Sequence, residues 1–186
     1  MYDQIERELK VLITKDEYET LLRSYDFGKP VIQKNVYFDD DKGSVRQLGA
    51  LRIRTVNGKR ILTLKIRKDS ITQTELEKET DTENISAITD SEIRNWFALY
   101  QIPDALHPFA SSETVRRIAE LPNAELCLDI SRFGNHTDYE IEYEYKKDHD
   151  GIHCFNEILS RVGLVYEKNA PSKLARAVQY SSDQNL

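Results

Sequence analysis

Two periodicities alternate along the chain, and together they predict strands interrupted by a few helices. Residues 5–13 alternate in steps of two, with Ile5, Leu9 and Ile13 on one face and charged side chains on the other. Further strands are predicted at residues 31–39, 50–56, 59–67, 71–81, 115–121, 125–130 and 138–146. Asn57-Gly58, a favoured dipeptide of two-residue hairpins, joins the third strand to the fourth.

Helical spacing replaces strand spacing at residues 14–25, 85–101, 151–162 and 171–180. Thr14 and Glu17 have the spacing of a capping box, which predicts that the first helix starts there. Gly163 ends the third helix and Pro171 begins the fourth. The elements predict an α+β fold built on a large antiparallel sheet or a closed barrel.

The length of 186 residues predicts one domain over residues 1–186, with a frayed polar tail at 181–186. The longest apolar run is five residues, whereas a transmembrane helix needs about 20, so we expect no membrane partner. The N-terminus has no signal-peptide pattern, which predicts a cytoplasmic location. Cys127 and Cys154 form no Cys-x-x-Cys motif, which argues against a disulfide scaffold.

The pattern of charged residues restricts the range of possible functions. The net charge of −6 argues against a protein that coats duplex nucleic acid. No P-loop and no G-x-G-x-x-G motif is present, so any phosphate chemistry must use side chains. One face of nearly every predicted strand is charged. In an open sheet that face would be solvated, whereas a closed barrel would enclose either an apolar core or a charged lumen.

A charged lumen would contain both signs of charge, because burying unpaired charge is expensive. The basic candidates are Lys10, Arg52, Arg54 and Lys65, with Arg117, Lys173 and Arg176 as further candidates. The acidic candidates are Glu6, Glu8, Asp129, Glu140 and Glu142, with Glu75 and Glu77 as further candidates. Clustered Arg and Lys bind polyanions and clustered carboxylates bind hard divalent cations. The two sets together fit a metal-bound polyphosphate, and we expect the basic side chains to repel one another until it binds.

Short motifs occur in a fixed order across residues 5–176. They are E-x-E-x-K at Glu6, Glu8 and Lys10, R-x-R at Arg52 and Arg54, L-T-L-K ending at Lys65, L-x-L-D ending at Asp129, E-I-E at Glu140 and Glu142, and S-K-x-x-R at Lys173 and Arg176. This ordered set resembles the CYTH superfamily, the triphosphate tunnel metalloenzymes, and most of all its small bacterial members. The resemblance implies an eight-stranded antiparallel barrel, with helices packed outside and a tunnel that holds a triphosphate.

The resemblance also implies roles for the candidate residues. The basic side chains that would bind phosphate oxygens are Lys10, Arg52, Arg54, Lys65, Arg117, Lys173 and Arg176. The carboxylates that would bind Mg²⁺ or Mn²⁺ are Glu6, Glu8, Asp129, Glu140 and Glu142, and Glu6, Glu8 or Glu142 would orient the attacking water. Only one of the adjacent Arg116 and Arg117 can face inward, and we assign Arg117. Glu75, Glu77 and Glu79 share a face, and we favour Glu77.

The predicted function is metal-dependent hydrolysis of inorganic tripolyphosphate or a nucleoside triphosphate, with thiamine triphosphate as a third substrate. One alternative is a class IV adenylate cyclase, which makes cyclic AMP from ATP in the same kind of tunnel. A second is a module that binds polyphosphate or a phosphorylated ligand without turnover. The expected partner is a small anion, and the sequence leaves a monomer and a homodimer open.

Overall fold

The computed structural model of the chain describes residues 4–182. Its strands are β1 (Gln4–Ile13), β2 (Val31–Asp39), β3 (Gly49–Val56), β4 (Lys59–Arg67), β5 (Thr72–Glu79), β6 (His107–Glu120), β7 (Ala124–Phe133) and β8 (His136–Tyr145). Its α-helices are α1 (Lys15–Ser24), α2 (Ser44–Leu48), α3 (Ser91–Leu99), α4 (Gly151–Leu159) and α5 (Lys173–Ser182). No helix within this part of the chain combines the length and the apolar character that a membrane crossing requires.

The eight strands close into an antiparallel barrel in the order β1-β5-β4-β3-β2-β6-β7-β8. Hairpins connect four of the neighbouring strand pairs, β3–β4, β4–β5, β6–β7 and β7–β8. Closure depends on pairs that are distant in sequence, β1 with β8, β1 with β5 and β2 with β6. The closed barrel confirms the predicted fold class.

The apolar face of the barrel wall points outward, against the helices. Leu62 and Leu64 of β4 pack in one cluster with Ile93 and Trp96 of α3. A second cluster joins the outer faces of β7 and β8 to α1 and α4, and its buried members include Leu21, Leu126, Ile141 and Phe155. Each such side chain contributes about 1.5–3 kcal/mol when fully buried. Because the hydrophobic core lies outside the barrel, the charged strand faces are left to line its interior.

Local signals fix several boundaries as predicted. Thr14 Oγ1 accepts a hydrogen bond from the Glu17 amide at 3.2 Å, and the Glu17 carboxylate accepts one from the Thr14 amide at 2.7 Å. Asn57 and Gly58 have φ of 51° and 77°, the left-handed pair that a type I′ hairpin requires. Gly163, at φ 72°, follows a short 3-10 turn that extends α4.

Other boundaries differ from the predictions. Strand β6 begins at His107 rather than at 115, because β2 pairs with it down to His107, which a single sequence segment does not reveal. The predicted helix over 85–101 is a 3-10 turn followed by α3, whose start is capped by Asp90. Helix α2 was not predicted. Helix α5 includes residues 181–182 of the predicted frayed tail, and residues 183–186 lie outside the described residues.

Candidate functional site

The barrel encloses a cavity of about 650 Å³ that is lined mainly by charged and polar side chains. The inward positions alternate along each strand, so the cavity receives one face of every strand and the start of α5. Lining residues include Glu6, Glu8, Lys10, Arg52, Arg54, Lys65, Glu75, Glu77, Arg116, Glu142, Glu144 and Lys173. Asp129, Glu140 and Arg176 are buried beside them.

One side of the cavity, which we call the basic wall, is formed by Arg52 and Arg54 of β3. Arg54 Nε donates to Asn35 Oδ1 at 2.9 Å, and within residues 4–182 no carboxylate oxygen lies within 4.0 Å of its guanidinium. Burial and the charges of Arg52 and Arg116 lower the pKa of Arg54 to about 9. Arg52 has one weak ion pair, at 3.7 Å from Glu77. Within the part of the chain that the structure describes, carboxylates therefore leave much of the positive charge of the basic wall unneutralised.

The opposite side, which we call the acidic wall, consists of Asp129 of β7 and Glu140 and Glu142 of β8. Carboxylate oxygens of these three residues lie within 4.8 Å of one another. Adjacent inward positions on β7 and β8 bring them together, since Asp129 is the register partner of Glu140. Asp129 and Glu140 have no exposed surface, and Glu142 is 5% exposed.

Cationic side chains of the chain itself neutralise the acidic wall. Arg116 forms a fork on Asp129, at 2.9 and 2.7 Å, and also contacts Glu142. Lys173 Nζ lies 2.8 Å from Asp129 Oδ2 and 2.7 Å from Glu142 Oε1, and it also contacts Glu140. Arg176 joins Glu140 to Asp138. Helix α5 therefore inserts two of its basic side chains into the acidic wall.

The three residues of the E-x-E-x-K motif on β1 form ion pairs with one another, with the acidic wall and with Lys65 of β4. Lys10 Nζ lies 2.7 Å from Glu8 Oε1 and 3.4 Å from Glu142 Oε1. Glu6 accepts from Lys65 Nζ at 2.7 Å, and Lys65 also pairs with Glu75. Lys10 and Lys65 are thus paired with carboxylates, which offset the expected repulsion among the basic side chains at these lysines but not at Arg54.

Ionisation within the acidic wall is uneven. Burial opposes ionisation of every member. Lys173 and Arg116 nevertheless hold the pKa of Glu142 well below its usual value, and Arg116 and Lys173 lower that of Asp129. Burial raises the pKa of Glu140 to about 7, despite Lys173. Glu142 and Asp129 are therefore the carboxylates that stay ionised.

The sequence-predicted residues converge on this site, with one correction. The assignment of Arg117 to the interior was wrong: its guanidinium donates to the Gly28 carbonyl at 3.0 Å on the outer surface, and Arg116 faces inward instead. The register pairs Arg116 with inward Asp129 and Arg117 with outward Leu128. A signal was present in the sequence, because Val115 and Ala119 share the face of Arg117 and apolar faces point outward in this barrel.

Sequence reasoning also left some residues out or undecided. Glu77 and Glu75 both line the cavity, and Glu75 has the closer basic partner, Lys65. Glu79 pairs with Lys59 at the exposed surface. Cys127 lies between Glu125 and Asp129 on the inner face of β7, and burial raises the pKa of its thiol well above the usual value. A protonated thiol is a poor nucleophile, so Cys127 is not a candidate for covalent catalysis.

Comparison with known proteins identifies the class. A CYTH domain model matches residues 4–178, and the chain belongs to the CYTH domain family. The family resemblance inferred from the ordered motifs is therefore confirmed.

Individual relatives extend the comparison. The chain is 33% identical to YjbK of Bacillus subtilis (strain 168), a candidate triphosphatase by name, over 95% of each chain. A structure of HpAC1 from Hippeastrum, named as a candidate adenylyl cyclase with a dominant triphosphatase activity, is 25% identical, with a TM-score of 0.76 over 95% of each chain. A candidate adenylate cyclase from Bacillus halodurans has a TM-score of 0.79 over 92% of this chain and 96% of its own. At 24% identity this last likeness shows the fold alone.

Proposed function

We propose that the protein hydrolyses a triphosphate held inside the barrel, with inorganic tripolyphosphate or a nucleoside triphosphate as the substrate. The observation that carries the proposal is the unneutralised charge of Arg54 beside Arg52. A half-buried cation without a close counter-ion is costly, and an anion that enters the cavity relieves that cost. The names of YjbK and HpAC1 support the same activity.

The chemistry of the lining supports a chain of phosphates over a single one. Arginine guanidinium groups bind phosphate oxygens in bidentate fashion, and lysines add compact point charges. Cationic side chains enter the cavity from β1, β3, β4, β6 and α5, namely Lys10, Arg52, Arg54, Lys65, Arg116 and Lys173. Such a dispersed set suits several linked phosphates better than one. The net charge of −6 and the enclosed position support a small free anion as the partner, rather than duplex nucleic acid or a membrane.

The carboxylates fit a hard divalent cation, Mg²⁺ or Mn²⁺. The acidic wall offers three carboxylates within 4.8 Å of one another and no nitrogen or sulfur donor, which is the ligand chemistry these ions prefer. We propose that Asp129, Glu140 and Glu142 hold the cation together with Glu6 and Glu8 of β1, and that the cation replaces part of the contacts that Arg116 and Lys173 make with the acidic wall. When bound, a divalent cation neutralises charge that develops on the phosphate oxygens.

Different side chains bind the substrate and orient the attacking water in the proposed reaction. Arg52 and Arg54 bind and orient the phosphates, since phosphoryl transfer depends mainly on positioning and on charge stabilisation. Glu142 stays ionised and remains able to accept a hydrogen bond from an attacking water, with Glu8 beside Lys10 as the next candidate. Lys10 and Lys173 both contact Glu142 Oε1, so they fix its orientation.

The test is a product analysis of the purified protein with Mg²⁺ or Mn²⁺ and tripolyphosphate, ATP or thiamine triphosphate. We expect orthophosphate release that excess EDTA abolishes. Cyclic AMP with pyrophosphate would establish the cyclase instead, and saturable binding without product would establish a binding module. A cytoplasmic location and the choice between monomer and homodimer stay predictions, to be checked by fractionation and by light scattering.

A further inference from the structure

The barrel wall has a gap beside the second half of β1. On one side β1 pairs with β8 from Glu8 to Ile13, but on the other it pairs with β5 only from Gln4 to Arg7. The segment before α5 takes the place of the missing strand. The Lys10 amide donates to Asn169 Oδ1 at 2.8 Å, and the Ala170 amide donates to the Lys10 carbonyl at 3.2 Å.

Asn169 uses its whole amide group at this gap. Its Nδ2 donates to the Glu8 carbonyl at 3.0 Å and to the Ser70 carbonyl at 3.1 Å, while its Oδ1 also accepts from the Tyr166 hydroxyl at 3.1 Å. An amide side chain offers two donor hydrogens and an oxygen with two lone pairs, so all four positions are filled. One side chain thus ties β1, the β4–β5 turn and the approach to α5 together.

The backbone that Asn169 holds carries functional side chains on both sides of the gap. Glu8 and Lys10 project from β1 into the cavity, and Lys173 follows Asn169 by four residues at the start of α5. Lys10 Nζ and Lys173 Nζ approach the same atom, Glu142 Oε1, at 3.4 and 2.7 Å. The relative position of the two lysines therefore depends on the links between their backbones, which are the side chain of Asn169 and the single backbone hydrogen bond from Ala170 to Lys10.

We propose that Asn169 is a positioning residue, which sets Lys10 and Lys173 against Glu142 for binding and turnover of the triphosphate. The inference rests on the proposed function and adds a residue that lies outside the motifs of the sequence. It predicts that loss of the amide disturbs the site more than it disturbs the fold. A merely structural role predicts the reverse.

Three substitutions distinguish a positioning role from a structural role, because each removes a different subset of the four hydrogen bonds of the Asn169 side chain. Asn169→Asp keeps the shape and the acceptor for the Lys10 amide but loses both donors, and it places a carboxylate against the Glu8 and Ser70 carbonyls. Asn169→Ala removes all four bonds. Tyr166→Phe is the matched control, because it removes one bond to Asn169 and leaves the three bonds to β1 and to the β4–β5 turn intact.

The first measurement is tripolyphosphate turnover with Mg²⁺, at a temperature where circular dichroism shows every variant folded. We expect kcat to fall by about ten- to a hundredfold in Asn169→Asp and Asn169→Ala, the scale of a small misplacement of reacting groups. Tyr166→Phe should stay within about twofold of the wild type, since a single neutral hydrogen bond is worth little. Unchanged kcat in both Asn169 variants would overturn the proposal.

The second measurement is calorimetric titration with tripolyphosphate, which needs no turnover. A positioning role weakens the affinity at unchanged stoichiometry, whereas partial unfolding lowers the stoichiometry at unchanged affinity. If the wild type binds but hydrolyses no triphosphate, the proposed hydrolase function fails and the titration still decides the role of Asn169. Equal dissociation constants for the wild type, Asn169→Asp and Tyr166→Phe would count against it.

Discussion

The basic wall and the acidic wall are parts of the same barrel, yet their charges are balanced in different ways. Asp129, Glu140 and Glu142 are surrounded by Arg116, Lys173 and Arg176 from the same chain. Among the described residues, Arg52 forms one long ion pair, to Glu77, and Arg54 forms none. The charges of the acidic wall are thus neutralised within the folded chain. The charges of the basic wall are neutralised mainly when an anionic ligand binds. Removing a cation should therefore destabilise the protein at the first wall and weaken ligand binding at the second.

The largest effect is expected at the acidic wall, from Arg176→Met. Arg176 is 2% exposed and Glu140 is fully buried, so the substitution leaves a buried carboxylate without one of its partners. Breaking such a pair costs about 3–5 kcal/mol. Urea unfolding at pH 8, above the pKa of Glu140, followed by circular dichroism measures the loss.

The control for this prediction is Lys59→Met. Lys59 pairs with Glu79 at 3.0 Å, but the two side chains are 64% and 60% exposed. Exposed pairs contribute about 0–1 kcal/mol, so the control should lose little. Equal losses in the two variants would show that the acidic wall is not specially stabilised.

The basic wall should respond to ligand by a rise in melting temperature. Tripolyphosphate with Mg²⁺ at a hundredfold excess over its Kd adds about 2.7 kcal/mol to the free energy of unfolding. That corresponds to several degrees, at about 2–4 °C per kcal/mol for a domain of this size. Orthophosphate should raise the melting temperature less, because a single phosphate contacts only some of the basic side chains in the cavity. Equal shifts from the two anions at matched ionic strength would contradict a site built for linked phosphates.

A single arginine tests the basic wall directly. Arg54→Gln keeps an amide donor for Asn35 but removes a charge-assisted contact to phosphate, worth about 1.5–3 kcal/mol. We expect the Kd for tripolyphosphate to rise by about tenfold or more, as titration calorimetry would measure. Arg117→Gln removes the same charge from the outer surface and should leave the Kd unchanged. A similar loss in both variants would mean that net charge, not the cavity, attracts the anion.

Much of the fold and of the site follows from local patterns. Alternation of charged and apolar residues on β1, β3, β7 and β8 predicts the strands, and the same charged faces contain the cavity side chains. The capping box at Thr14 and the Asn57-Gly58 hairpin depend on neighbouring residues alone, so they are readable without a tertiary structure.

The remaining features depend on contacts between segments that are distant in sequence. The first half of β6 is a strand because β2 pairs with it, although Pro108 and two serines give it the composition of a loop. Asn169 belongs to no motif, since the gap that it fills exists only after the barrel has closed. The inward orientation of Arg116 could instead have been predicted from the sequence, because Val115 and Ala119, which share the face of Arg117, are apolar.

The smallest expected effect concerns Glu144, at the end of β8 next to the acidic wall. Burial, and then the charge of Glu6, raise the pKa of Glu144 to about 7 from an ordinary 4.5. Between about pH 4.5 and pH 7, Glu144 of the folded protein therefore holds a proton that the unfolded chain has released. The contribution of Glu144 to the free energy of unfolding falls as the pH rises from about 4.5, and it levels off above pH 7.

Glu144→Gln cannot ionise, so it should escape this loss. The variant should match the wild type near pH 4 and exceed its stability by about 1 kcal/mol at pH 8, after allowance for solvent screening of a partly exposed group. Melting temperatures of both proteins across this range give the difference, with Glu19→Gln on the exposed face of α1 as the control. A difference that is constant with pH would mean that Glu144 ionises as freely as a surface carboxylate. Burial and the charge of Glu6 would then have no effect on the ionisation of Glu144.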